Sequence, residues 1–127
     1  MNWLTLEEVL FIHEAAILAF GGMIGVRDRG LIESALVQPF ATFDGQDLYP
    51  TVIDKVAQLT LSLVLNHPFV DGNKRVAFAS LVECLKRNGF QLLCTADEGE
   101  SIMLRAACND VSREELTEWI LKHSSSI

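Results

Sequence analysis

His67-Pro-Phe-Val-Asp-Gly-Asn-Lys-Arg75 joins two apolar segments, and its reading decides the fold. Before it, Thr51-Val-Ile-Asp54 has capping-box spacing with Asp in place of Glu. The helix it opens, to about residue 66, carries Val56, Ala57, Leu59, Leu61, Leu63, Val64 and Leu65 on all sides. After the joint a second apolar helix is expected over residues 76–85, turning polar at Lys86-Arg87 and stopping at Asn88-Gly89. A helix without a polar face is a buried one. The expected architecture is therefore an all-α bundle around two buried central helices.

The chain upstream agrees with that frame. Thr5-Leu-Glu-Glu8 is a capping box, and Leu6, Val9, Leu10, Ala16, Ile17 and Phe20 recur at helical spacing up to Gly21-Gly22. Asp28 is an N-cap for a short helix over residues 31–37, ending before Pro39. Residues 39–50 lack periodicity, contain the turn dipeptide Asp44-Gly45 and close at Tyr49-Pro50. They read as a plain surface loop or a functional one, with room for a short hairpin.

Downstream, residues 90–93 read as a short strand or an extended link. Residues 100–107 read as a helix with Ile102, Met103 and Ala106 on one side. Ser112-Arg-Glu-Glu115 opens a last helix with Leu116, Trp119 and Ile120 inward. The tail, about residues 124–127, is expected to be disordered. The whole, 1–127, reads as one domain.

The totals narrow the function. A chain of 127 residues, half of them apolar, can bury a sizeable core. No run reaches the roughly eighteen apolar residues of a membrane span. A net charge of −7 argues against general binding to nucleic acid or anionic lipid. The early Glu7, Glu8 and Glu14, with no basic cluster, do not suggest a signal peptide. Cys84, Cys94 and Cys108 are an odd count without paired spacing and read as small hydrophobes, so the cytoplasm is the default. No His/Cys/Asp cluster has the spacing of a structural metal site. His13 reads as a packed core histidine, and His123 lies near the expected frayed end.

The joint concentrates the chemistry. The first amides of a helix have no internal acceptor and can hold a phosphate, so Gly72-Asn73-Lys74 forms an anion nest. Lys74 and Arg75 add full positive charge. Asp71 either caps the helix or holds a magnesium ion, which takes one or two carboxylates plus phosphate oxygens and water. His67 ends the preceding helix and has the residue type of a general base. Phe69, apolar in a polar loop, is expected to plug into the core and fix the loop's shape. The plain alternative, a tight helix–loop–helix connection, explains any one of these residues but not their concentration.

The stretch 67–75 resembles the active-site motif of the Fic superfamily, specifically its death-on-curing (Doc) toxin branch. The typical Fic motif reads His-Pro-Phe-x-Asp/Glu-Gly-Asn-Gly-Arg-x-x-Arg; here Lys74 stands for the second glycine and Phe78 for the last arginine, both departures expected of Doc. Gly25-Val-Arg-Asp28, Leu31-Ile-Glu-Ser-Ala-Leu36, Asp47-Leu-Tyr-Pro50 and Asn88-Gly89 extend the likeness. It implies a Fic-like fold and a toxin of a type II toxin–antitoxin module. His67 would be the base acting on a target hydroxyl, Asp71 the magnesium ligand, and Gly72, Asn73, Lys74 and Arg75 the ATP phosphate cradle. Lys74 would reverse the nucleotide and give γ-phosphate transfer, a kinase reaction; adenylyl transfer, or an inactive binding module, is the alternative. The likeness also suggests a threonine of elongation factor Tu as target, hence arrest of translation. Residues 39–50 would occupy the place of the target-presenting flap, with Asp44, Gly45, Gln46, Asp47, Leu48 and Tyr49 as its target-facing residues. For Arg27, Asp28 and Glu33 an ion-pair or capping role is expected rather than catalysis. Self-restrained Fic proteins carry Ser/Thr-x-x-x-Glu-Gly/Asn. Thr95-Ala-Asp-Glu98-Gly99 is one residue too short, so a separate Phd-type antitoxin is expected, laying a helix across the groove over the site.

Overall fold

The computed structural model describes every residue, Met1–Ile127. Six helices share one apolar core: α1 (Leu6–Phe20), α2 (Arg29–Val37), α3 (Val52–Asn66), α4 (Asn73–Arg87), α5 (Ala96–Ala107) and α6 (Arg113–Lys122). α3 is central. It buries Val56, Ala57, Leu59, Leu63 and Val64 completely, and α2, α4, α5 and α6 all pack on it. α4 differs from expectation. Its buried residues, Val76, Ala77, Ser80, Leu81, Cys84 and Leu85, form a single stripe, while Phe78 and Val82 are only half-buried. It is the second central element, flanked by α1 and α5. None of the helices is long and apolar enough to cross a membrane.

Side chains set most helix starts. Thr5 with Glu8, Thr51 with Asp54, Thr95 with Glu98 and Ser112 with Glu115 all form capping boxes, and Asp28 caps α2. Each cap is worth about 1 kcal/mol. The third box corrects the expected start of α5. α5 begins at Ala96, not at residue 100, because Thr95 Oγ accepts from the Glu98 amide at 3.1 Å and Glu98 accepts from the Thr95 amide at 2.8 Å. The residues that came one short of an inhibitory motif are thus a helix cap.

Two small hairpins complete the fold. β1 (Thr42–Phe43) pairs antiparallel with β2 (Gln46–Asp47), so the aperiodic stretch is a hairpin preceded by a 3-10 turn, Gln38–Phe40. Asp44 and Gly45 at its tip have φ 53 and 77, as a two-residue hairpin turn of the I′ kind requires. β3 (Phe90–Leu92) pairs with β4 (Ser124–Ser126). The tail therefore does not fray: its backbone is held by the ladder and by the Ile127 amide on the Gly89 carbonyl at 2.9 Å.

Ion pairs tie helices together. Arg113 of α6 donates to Asp54 of α3 at 2.7 Å, and Arg87 of α4 bonds Glu8 of α1. The Arg87 bond, with help from the Thr5 amide, pulls the Glu8 carboxyl down to about 2. Burial alone would raise Asp54, but the Thr51 and Arg113 donors outweigh it and hold it low.

Two stability predictions follow from this packing. Leu63→Ala should cost about 2–5 kcal/mol in denaturant unfolding, since the site is fully enclosed. Glu8, Asp54, Glu98 and Glu115 titrate lower folded than unfolded. Their contribution is complete above the ordinary carboxylate range and lost as pH falls through the folded values, so a pH series of melting temperatures should decline from about pH 5 downward.

Candidate active site

The six residues between α3 and α4, 67–72, have much of their backbone satisfied from α1 and the loop joining α1 to α2. His67 closes α3 in the left-handed region, φ 47 and ψ 60, where a residue with a side chain costs of order 1–3 kcal/mol. Arg27 accompanies that turn: its Nε donates to the His67 carbonyl and its Nη2 to the Asn66 carbonyl, each at 2.6 Å. The Pro68 carbonyl accepts from the Arg27 and Asp28 amides at 2.8 and 3.0 Å, and the Val70 amide donates to the Gly25 carbonyl at 3.1 Å. Arg27 thus caps α3 and Asp28 caps α2, as the capping expectation for these two residues had it.

Phe69 plugs into the core, 1% exposed, with its ring stacked on His13 at 3.9 Å between centroids. Asn73, one turn along, accepts from the Phe69 amide and donates to the Phe69 carbonyl, both at 3.0 Å. This corrects the expectation for Asn73. Its side chain braces the loop through Oδ1 and one N–H, and its backbone amide remains open to a phosphate. Gly72 is corrected likewise, because its amide donates to Asp71 Oδ1 at 2.9 Å. The nest therefore lies one residue later, at the amides of Asn73, Lys74 and Arg75, which begin α4 without intrahelical acceptors. Gly72, at φ 78, supplies the turn into it.

Asp71 is exposed and firmly oriented. Its Oδ2 accepts from the Met23 amide at 3.1 Å, Oδ1 from Gly72, and its carbonyl from His13 Nε2 at 2.7 Å. The carbonyl can only accept, so Nε2 carries the proton. The Met23 and Gly72 amides, with Arg75 nearby, hold the Asp71 carboxyl below its usual value.

His67, Asp71, Asn73, Lys74 and Arg75 line one open cavity of about 470 Å³. Phe20 also lines it. Expected on the buried side of α1, Phe20 is 68% exposed, because the last turn of that helix runs past the core and its ring lies 4.6 Å under the Arg75 guanidinium. Phe20, Lys74 and Arg75 also border an adjoining, more apolar cavity of about 480 Å³, completed by Phe78, Gly99 and Met103. Phe78 thus faces α5, and a Cβ on Gly99 would stand 2.8 Å from its ring.

The site has the parts for phosphoryl chemistry. An imidazole faces the same cavity as a helix start and two cations, neither of which is held in an ion pair. Each oxygen of Asp71 accepts one amide and keeps lone-pair capacity for a cation. No group of three or more His, Cys, Asp or Glu surrounds it, so magnesium here would be held by Asp71, phosphate oxygens and water.

The hairpin divides its expected flap residues. Asp44, Gly45 and Gln46 are exposed at the tip, as is Leu48 beyond it. Asp47 and Tyr49 anchor: Lys55, buried in α3, bonds the Asp47 carboxylate at 3.4 Å and the Tyr49 carbonyl. Phe43, within the 39–50 stretch, is 75% exposed beside the turn. His13 is a packed core residue, 4% exposed, yet it also holds the motif. Its signal was a lone polar residue on the buried face of an amphipathic helix.

Comparison with known proteins gives the family. Residues 3–85 match the model described as Fic/DOC family. The chain is 43% identical over 111 residues to "Toxin Doc" of Mycolicibacterium smegmatis, covering 86% of this chain and 83% of that protein. It is 28% identical over 112 residues to "Protein kinase doc" of Escherichia phage P1, covering 88% and 87%.

Two substitutions test the loop's bracing. Phe69→Ala should lower unfolding free energy by about 3–5 kcal/mol. Asn73→Ala should cost about 1–3 kcal/mol by leaving the Phe69 amide and carbonyl unpaired. Denaturant titration measures both, and a near-neutral Asn73→Ala would show that the brace is dispensable.

Proposed function

This chain belongs to the Fic/DOC family, in its Doc branch, and from that membership we propose that it is a Doc-type toxin that transfers the γ-phosphate of magnesium ATP to a hydroxyl of a target protein. The observation that carries this reading is the shared cavity. His67, the first residues of α4 with Lys74 and Arg75, and Asp71 all line it, and a relative 28% identical over 112 residues carries the name protein kinase.

Phosphoryl transfer needs positioning and charge neutralisation more than covalent chemistry from the protein. His67 accepts the proton of the target hydroxyl as its oxygen bonds to the γ-phosphorus. The bond from that phosphorus to the β,γ-bridging oxygen breaks, and ADP leaves. The amides of Asn73, Lys74 and Arg75, with the two side-chain cations, hold the phosphates. Magnesium, when bound to Asp71, neutralises phosphate charge. Lys74, where a Fic adenylyltransferase has glycine, crowds the anion hole, which favours presenting the γ-phosphate rather than the α-phosphate to the hydroxyl.

The target reaches the site along the hairpin. Its exposed Phe43 and unpaired outer edges can take an extended segment, with main-chain pairing for affinity. A threonine of elongation factor Tu, with consequent arrest of translation in the cytoplasm, is the target the Doc likeness favours. A Phd-type antitoxin, acting in trans, would restrain the enzyme by laying an apolar helical face over the groove beside Phe20 and Phe78.

Labelled ATP tests the reading. With cell extract and magnesium, γ-labelled ATP should mark a protein and α-labelled ATP should not. Label from the α-phosphate alone would replace the kinase with an adenylyltransferase. His67→Ala should lower transfer about 10²–10⁴-fold and abolish growth arrest; arrest unchanged in that variant would mean that the activity is binding, not catalysis. Lys74→Gly should move the product toward adenylylation.

A further inference from the structure

Asp71 is gripped at three atoms, and two of the grips come from outside the motif. α1 presents His13 and Ile17, one helical turn apart, to the connection between α3 and α4. His13 donates to the Asp71 carbonyl at 2.7 Å, and its ring, stacked on Phe69, cannot swing away without opening the core. Just beyond the end of α1, the Met23 amide donates to Oδ2 at 3.1 Å. Gly22 makes the approach possible. At φ 120 it adopts a backbone that residues with side chains rarely take, and a Cβ there would stand 2.8 Å from Asp71 Oδ2 and 3.0 Å from Ile17 Cδ1. The same Ile17 methyl lies 3.2 Å from where a Gly72 Cβ would be. Both glycines are therefore needed for α1 to seat against the loop.

An exposed aspartate left to itself samples several rotamers. Here each carboxylate oxygen is fixed by one backbone amide, which leaves the remaining lone pairs aimed in a set direction. Removing a group that orients a metal ligand typically lowers metal affinity about 10–100-fold. We propose that the end of α1, through His13, Gly22 and Met23, is the positioning element of Asp71 and sets the affinity of the site for its divalent cation. This rests on Asp71 being the metal ligand of the proposed kinase.

Manganese binding in the presence of a non-hydrolysable ATP analogue, followed by electron paramagnetic resonance of the free ion, tests this apart from activity. His13→Leu removes the donor, and Gly22→Ala forces the Met23 loop away from Oδ2. Each should raise the Mn²⁺ Kd about tenfold or more. His13→Gln, whose side-chain N–H can reach the same carbonyl, should recover most of the affinity. A role confined to stability would lower the melting temperature and leave the Kd of folded protein unchanged, and wild-type Kd in both His13→Leu and Gly22→Ala would overturn the proposal. Should His13→Leu not fold, Gly22→Ala decides alone, because it lies in an exposed loop. Wild-type protein that binds no Mn²⁺ with the analogue would instead overturn the metal assignment of Asp71, and this proposal with it.

Discussion

The structure depends on one requirement: the polar backbone of a tight turn between two central helices must find partners that those helices cannot supply. α3 ends at Asn66 and α4 starts at Asn73, so the carbonyls that close one and the amides that open the other come within six residues. Arg27 takes the Asn66 and His67 carbonyls, the Arg27 and Asp28 amides take Pro68, Gly25 takes the Val70 amide and His13 takes the Asp71 carbonyl. Only Asn73 braces the loop from within the motif helix. Unpaired backbone groups are costly where water is excluded, as at buried Pro68 and Phe69, and α1 and the Gly25–Asp28 stretch, lying against the loop, hold its shape. The left-handed turn at His67 belongs to the same logic. It turns the chain sharply at the residue whose side chain must reach the cavity, and Arg27 makes that conformation tolerable.

Electrostatics then separate this corner from the rest of an acidic surface. Elsewhere Lys55, Arg87, Arg105 and Arg113 are matched to carboxylates. Lys74 and Arg75 are exposed and matched to none, and they stand at the positive end of α4. In a chain of net charge −7, two adjacent unpaired cations at a helix start are a local positive excess. Phe20 shapes it further, its ring under Arg75 limiting where the guanidinium can go.

Much of this was legible in the sequence, where local chemistry acts alone. The capping boxes at Thr5, Thr51 and Ser112 placed helix starts because a hydroxyl and a carboxylate three residues apart have few other uses. The apolar run of α3 showed its centrality. The box at Thr95 gives little signal because Asp97-Glu98-Gly99-Glu100 shows no apolar period, and the helix's large buried side chains begin at Ile102. The Ser124–Ser126 strand was illegible in principle: three serines have no strand pattern, and only the partner at Phe90–Leu92 makes them one. Within the site, the residue types of the motif pointed to its location, but not to which atoms are free. That Asn73 is engaged by Phe69, that the nest starts one residue later, and that His13 reaches Asp71 across 58 positions are tertiary facts.

The division of labour explains the extent of the family match. It covers residues 3–85, which is α1 through the last buried turn of α4. Every hydrogen bond that shapes the connection, from His13 to Asn73, falls inside that span. α5 and α6 contribute to the core through Ile102, Met103, Leu116 and Ile120, and α5 walls the apolar cavity beside Lys74. They touch the place where a partner or nucleoside would lie, but not the loop that holds the base and the carboxylate. The connection and the groups that brace it are thus carried by the first four helices, and the last two fill the core and wall the neighbouring cavity.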